Sequence, residues 1–158
     1  MYYLVPIILK KLERELETAI KASMEAHSSA IHSENIADNR YGTLALEAAY
    51  LAHGQSVRID DLQTSMSLYK SFHRTKFTRE SEIGLGALVD IESSGGDCQR
   101  IFLGPAAGGL RIEEKSMMIQ VITSATPLGK LLFGKYIDDD VELAVDNVTK
   151  HYSIVNIQ

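Results

Sequence analysis

Two apolar seams of equal length, each spaced alternately by three and four residues and separated by a polar link, constrain this chain more than any other feature. Leu9, Leu12, Leu16, Ala19, Ser23, Ala26 and Ala30 form the first; Ala45, Ala48, Ala52, Gln55, Ile59, Leu62, Met66 and Tyr69 form the second. That spacing lays a single stripe along an α-helix and none along a strand. Pro6 suits a first helical turn, and Glu17 with Lys21, off the seam, has the favourable i,i+4 order. Between the seams, Ser33 to Gly42 is polar and rich in turn and capping residues, a composition that links antiparallel helices. Arms of roughly 28 residues span about 40 Å at 1.5 Å per residue. Paired this way, Leu9, Leu12 and Leu16 face Leu62, Met66 and Tyr69, whereas alanine meets alanine near the link. The hairpin therefore narrows toward a tip near residues 31–42.

Glycine marks where the helical part ends. Only Gly42 and Gly54 of the eleven glycines precede residue 77, and glycine is costly within helices but useful in sheet turns. Charge divides at the same place: residues 1–76 carry nine basic and nine acidic side chains, residues 77–158 seven and twelve. A helical hairpin over 1–76 and a second domain over 77–158 follow. Lys70 to Glu82 joins them, with no clear period and with Lys70, His73, Arg74, Lys76 and Arg79. It reads as a solvated linker or as a partner-binding patch at a hinge.

The second half predicts short strands over Gly84–Glu92, Gln99–Leu103 and Met117–Thr123, with a turn at Ser94–Asp97 and a loop through Gly104-Pro105 and Gly108-Gly109. Thr126 can cap a short helix that Pro127 opens, Leu128, Leu131 and Leu132 line, and Gly134 ends. Asp140–Val145 and His151–Ile157 alternate and should pair around Asp146-Asn147. The fold class is α+β, a helical hairpin plus an antiparallel sheet with one short helix.

Composition excludes several functions. The apolar runs fall far short of the ~20 residues that a membrane span needs. One cysteine, Cys98, permits no internal disulfide and fits a reducing cytoplasm. A net charge of −5 argues against a general nucleic-acid binder. His27 and His32 beside Glu34 match no zinc signature, and the Gly104–Gly109 stretch lacks the Gly-Lys-Ser/Thr ending of a phosphate loop. Phe102, Phe133, Tyr136 and Tyr152 are accounted for by core packing.

Ser124-Ala125-Thr126-Pro127-Leu128-Gly129-Lys130-Leu131-Leu132-Phe133-Gly134-Lys135 resembles the Ser-Pro-Leu-Gly-x-Ala-Leu-Leu-Gly-Lys segment of the bacterial Gre family of transcription elongation factors. An acidic turn, a strand and a terminal Tyr-x-Ile-x-x-Ile, here Tyr152 to Ile157, follow in the same order. Ala30-Ile31-His32-Ser33-Glu34-Asn35 resembles the family's tip motif Gly-Asp-Leu-Ser-Glu-Asn, and Arg58-Ile59-Asp60-Asp61-Leu62 its Arg-Ile-x-x-Leu. The resemblance implies an FKBP-like second domain that docks at the rim of RNA polymerase's secondary channel, and a hairpin that enters the channel. It implies that nascent RNA is met only within the polymerase complex, and that tip carboxylates share a Mg²⁺ ion with the polymerase during cleavage of backtracked RNA. The tip Asp of the family aligns with Ile31. Glu34 and Asp38, four residues apart, are then the candidate catalytic and metal-holding pair, able to share one face of a helical turn. The resemblance makes the chain a polymerase cofactor, not an enzyme, working by cleavage or by occupancy of the channel alone. A monomer is expected, a dimer being the alternative. An FKBP-like prolyl isomerase and a coiled-coil interaction module are the rival readings.

Overall fold

In a computed structural model, residues 4–34, 41–73, 75–114, 117–145 and 148–158 are described, apart from the side chains of 29–34, 41–45, 48, 49 and 145. The chain divides into two compact units, Ile8–Ser67 and Met1–Ile7 with Leu68–Gln158. No helix among the described residues is long and apolar enough to cross a membrane.

The first unit is built from two helices, α1 (Leu4–Glu34) and α2 (Tyr41–Lys70), whose outermost turns fall in the other unit. At 31 and 30 residues each helix is about 45 Å long. On α2, Leu62, Met66 and Tyr69 are buried and Ala52, Gln55 and Ile59 half-buried, as the periodicity predicts, while the side chains of Ala45 and Ala48 lie outside the described residues. On α1, Leu12 and Ala19 are buried and Leu16, Ser23 and Ala26 half-buried. The start of that seam differs, because Leu4 and Ile8 take the buried places and Leu9 only flanks them. A run of three apolar residues, Ile7-Ile8-Leu9, allows either phase, and spacing alone does not choose between them. Arg58 Nη2 reaches Glu15 Oε2 across the hairpin at 3.4 Å. Arg58 is well exposed and Glu15 half-exposed, so the pair marks the antiparallel arrangement more than it stabilises it.

The second unit is a six-stranded sheet with strands β1 (Leu88–Ser93), β2 (Cys98–Leu103), β3 (Arg111–Glu114), β4 (Met117–Ile122), β5 (Asp140–Val145) and β6 (Val148–Ile157). Their order is β3-β4-β2-β1-β6-β5. The final hairpin pairs as its alternation predicts, Val145 opposite Val148 and Asp140 opposite Ser153. The sheet is mixed, not antiparallel throughout: β2 and β4 run parallel, with Phe102 opposite Val121. The cause is β3, a strand that sequence reading leaves inside a loop. After the Gly104–Leu110 connection β3 takes the edge, and its hairpin with β4 returns the chain between β2 and β3 in the direction of β2. Arg-Ile-Glu-Glu has one apolar residue among four, too little alternation to announce a strand.

Both faces of the central strands are covered, since the neighbours Leu88 and Val89 point to opposite sides and both are buried. One face holds Val89, Ile91, Ile101, Leu103, Tyr152 and Ile154 against Leu132 of α3 (Pro127–Leu132). Thr126 accepts from the Gly129 N–H at 3.1 Å, Pro127 follows it, and Gly134 lies at φ +77° just past the helix end. These are the capping positions foreseen from sequence. On the other face Phe102 and Val121 are buried, and Tyr69 at the end of α2 donates its hydroxyl proton to the Ala106 carbonyl at 3.0 Å. Gly104 makes that approach possible, because a Cβ there would collide with the Tyr69 hydroxyl.

Candidate functional site

The candidate carboxylates belong to the connection between α1 and α2. Glu34 is the last residue of α1, and α2 begins at Tyr41. The side chain of Glu34 and the whole of Asp38 lie outside the described residues, so the structure neither brings the pair together nor separates it. Two carboxylates are a donor set suited to Mg²⁺, which takes oxygen ligands and retains water. Among the described residues, no group of three or more His, Cys, Asp or Glu side chains is placed to hold a metal ion.

The last turn of α2, which belongs to the sheet unit, is set by Tyr69. Its ring is buried, its hydroxyl is bonded to Ala106, and burial pushes its pKa well above the ordinary tyrosine value of 10.0. Desolvation is the cause: burial penalises the charged phenolate. The last turn of α2 is thus fixed to the sheet unit by an uncharged hydrogen bond as well as by apolar contact.

The segment after α2 forms neither helix nor strand, and it is pinned at intervals. Phe77 packs against the sheet core, and the Phe72 ring lies so close to Gly86 that a Cβ there would overlap it. Lys70, His73, Lys76 and Arg79 are exposed between these aromatic contacts, while Arg74 is outside the described residues. The connection is held down and presents its cations outward. Phe72 and Phe77 were the available signal, two isolated aromatics in a polar stretch without period.

A further surface escaped sequence reading. Phe102 and Tyr152 are buried as core residues, but Phe133 and Tyr136 are 51% and 47% exposed, so core packing does not account for them. Phe133 is the C-cap of α3, with backbone in the extended region, and its ring leaves the helix face that Leu132 buries. Backbone bonds from Gly134 to the Ile83 carbonyl and from Ile83 to the Lys135 carbonyl, both 2.7 Å, tie this stretch to the 83–86 turn, where Leu85 is also exposed. Two exposed aromatics, an exposed leucine and the exposed Lys130 and Lys135 give this stretch an amphipathic surface.

Asp90, Arg100 and Asn156 form a polar cluster on three adjacent strands. Asp90 accepts from Arg100 Nε at 2.5 Å and Nη2 at 2.9 Å, and from Asn156 Nδ2 at 3.1 Å. The bidentate geometry satisfies the carboxylate within the sheet and suits a structural role. Cys98 is exposed and unpaired with any other cysteine.

No family model matches the sequence. A curated transcription elongation factor GreA from Psychromonas ingrahamii is 26% identical over 101 residues. That match spans 64% of this chain and 60% of the relative, less than two thirds of its length. Among solved structures, a transcription factor Gfh1 is 22% identical with a TM-score of 0.41, over 94% of this chain and 92% of that one. GreA factor homolog 1 of Thermus thermophilus is 23% identical with a TM-score of 0.39, over 95% and 94%.

Proposed function

We propose that this chain, Gre-type by its similarity to GreA, binds RNA polymerase and acts through the tip of its hairpin. The observation that carries the reading is the 101-residue match to GreA. Two features of the chain support it. Each helix is about 45 Å long, enough to hold a working tip well away from the opposite end of the hairpin. The exposed Phe133, Tyr136 and Leu85 offer a contact for the polymerase at its channel rim, with Lys130 and Lys135 beside them.

In the cleavage form of this proposal, Glu34 and Asp38 are the residues that would hold a Mg²⁺ ion together with the polymerase. When bound, the ion makes a water more acidic and offsets phosphate charge. The chain's own part is to deliver two carboxylates to a site that another protein completes, which requires no pocket of its own. A second reading rests on Ile31, an apolar residue where the family's tip motif carries Asp. A tip short of one carboxylate occupies the channel without promoting hydrolysis.

A backtracked polymerase complex with end-labelled RNA and Mg²⁺ distinguishes the two. Shortened RNA with the wild type, lost with Glu34→Ala or Asp38→Ala, is the result expected for cleavage. Unchanged RNA together with competition against a cleavage-competent factor identifies occupancy alone. If neither shortening nor competition is observed, the polymerase reading falls.

A further inference from the structure

Helix α2 has two apolar faces. Its inner seam is Ala52, Gln55, Ile59, Leu62 and Met66. At 3.6 residues per turn, Leu46, Tyr50 and Val57 cluster within about 40° of one another, on the side opposite that seam. These three are 57%, 69% and 48% exposed, so the outer stripe lies in solvent. His53, also exposed, continues the same line. An amphipathic helix normally carries one apolar face, and the second one is unexplained by the folding of this chain. Gly54 lies beside the stripe. A Cβ at Gly54 meets nothing within 4 Å, so no packing among the described residues requires glycine at a position where it weakens the helix.

We infer that the outer stripe of α2 is a self-association surface, on which a second copy of this chain packs antiparallel. The spacing Leu46, Tyr50, His53, Val57 alternates four, three and four, the period of a coiled-coil seam. Turned antiparallel on itself, the stripe sets Leu46 against Val57 of the second copy and Tyr50 against His53. Glu47 then lies beside Gly54 of the second copy, where the missing side chain leaves room, and within reach of Arg58. Two-fold symmetry makes each of these contacts twice. Arg58 is available for this, because its bond to Glu15 is long at 3.4 Å and the Arg58 side chain is 58% exposed. Asp60 and Asp61 fall toward the ends of the contact, level with residues 42 and 43 of the second copy. A parallel pairing instead leaves Glu47 and Arg58 of the two copies about 16 Å apart along the axis, so only the antiparallel arrangement brings these opposite charges together. The contact is short, about 17 Å along the helix, which places it among small interfaces and makes association concentration-dependent.

Sedimentation of the full chain over a concentration series is the test. The wild type shifts from monomer to dimer as concentration rises. Tyr50→Glu weakens the dimer by about a hundredfold or more, since symmetry removes a central aromatic twice. Glu47→Arg weakens it by a smaller factor, and Glu47→Arg with Arg58→Glu recovers most of that loss. Far-UV circular dichroism confirms that each variant retains its helices. A wild type that stays monomeric throughout, a Tyr50→Glu variant that dimerises unchanged, or a double variant that fails to recover overturns the inference.

Discussion

The hairpin and the sheet unit solve the problem of burial in opposite ways. The sheet unit covers both faces of its central strands, so Leu88 and Val89 are each buried although they point in opposite directions. The hairpin unit buries one seam and leaves Leu46, Tyr50 and Val57 on α2 and Met24 on α1 in solvent. A structure covered on two sides loses many contacts if it opens anywhere, whereas a two-helix unit opens at low cost. Stability therefore resides mainly in the sheet unit. Surface available to partners resides in the hairpin and at the rim around Phe133 and Tyr136. Substitutions that strike one region and spare the other test this division.

Gly129→Ala should have the largest effect. A Cβ at Gly129 collides with the Thr123 backbone carbonyl, and the Thr126 hydroxyl that caps α3 is 2.8 Å away. Backbone cannot yield as a flexible side chain can, so a loss of about 3 kcal/mol is expected by chemical denaturation. If the hairpin melts separately, its own transition should be unaffected. A common shift of both transitions would break the proposed division.

Asp90→Ala comes next. It removes the acceptor of two Arg100 hydrogen bonds and one Asn156 bond in a partly buried site, and about 2 kcal/mol is expected. The proposed polymerase binding, measured on the folded variant, should be unchanged, because the cluster is structural and lies within the sheet.

Tyr69→Phe sharpens the comparison at the position where the last turn of α2 meets the sheet unit. Loss of the hydroxyl leaves the Ala106 carbonyl without that donor and costs about 1 to 2 kcal/mol. The pH dependence carries a second signature. Burial raises the Tyr69 pKa in the folded state, so the folded chain keeps its proton at a pH where the unfolded chain releases one. The contribution is complete below the unfolded value of 10.0 and declines as pH rises beyond it. Tyr69→Phe should remove this part of the alkaline decline, as read from denaturation midpoints on both sides of pH 10.

These contrasts also show which parts of the chain were legible as sequence. The seam of α2 from Ala52 to Tyr69, the capped helix at Thr126-Pro127 and the hairpin of β5 with β6 rest on local periodicity and capping chemistry, and each appears where its residues predict. The parallel pairing of β2 with β4 depends on β3, whose single apolar residue, Ile112, carries no period. Phe133 and Tyr136 look like core aromatics in sequence, because exposure is decided by the extended backbone at a helix end and not by residue type. The outer stripe of α2 was hidden for a related reason: its apolar residues, merged with those of the seam, blur the periodicity of each face. For the tip, the sequence offers candidates in Glu34 and Asp38, whose carboxylates both lie outside the described residues.

The smallest expected effect is a gain. Gly54 lies inside α2 with no neighbour that a methyl group would strike, so Gly54→Ala should stabilise the hairpin by about 1 kcal/mol through helix propensity alone. Measured at low concentration, where the chain is monomeric, the gain should appear in amide hydrogen exchange of α2 and leave the sheet unit untouched. At high concentration the added methyl group enters the space that Glu47 of a second copy would use, so the same substitution should weaken association slightly. A stabilised α2 together with a weakened dimer separates the two roles of the position. A stabilised α2 with unchanged association would mean that Gly54 provides no such space.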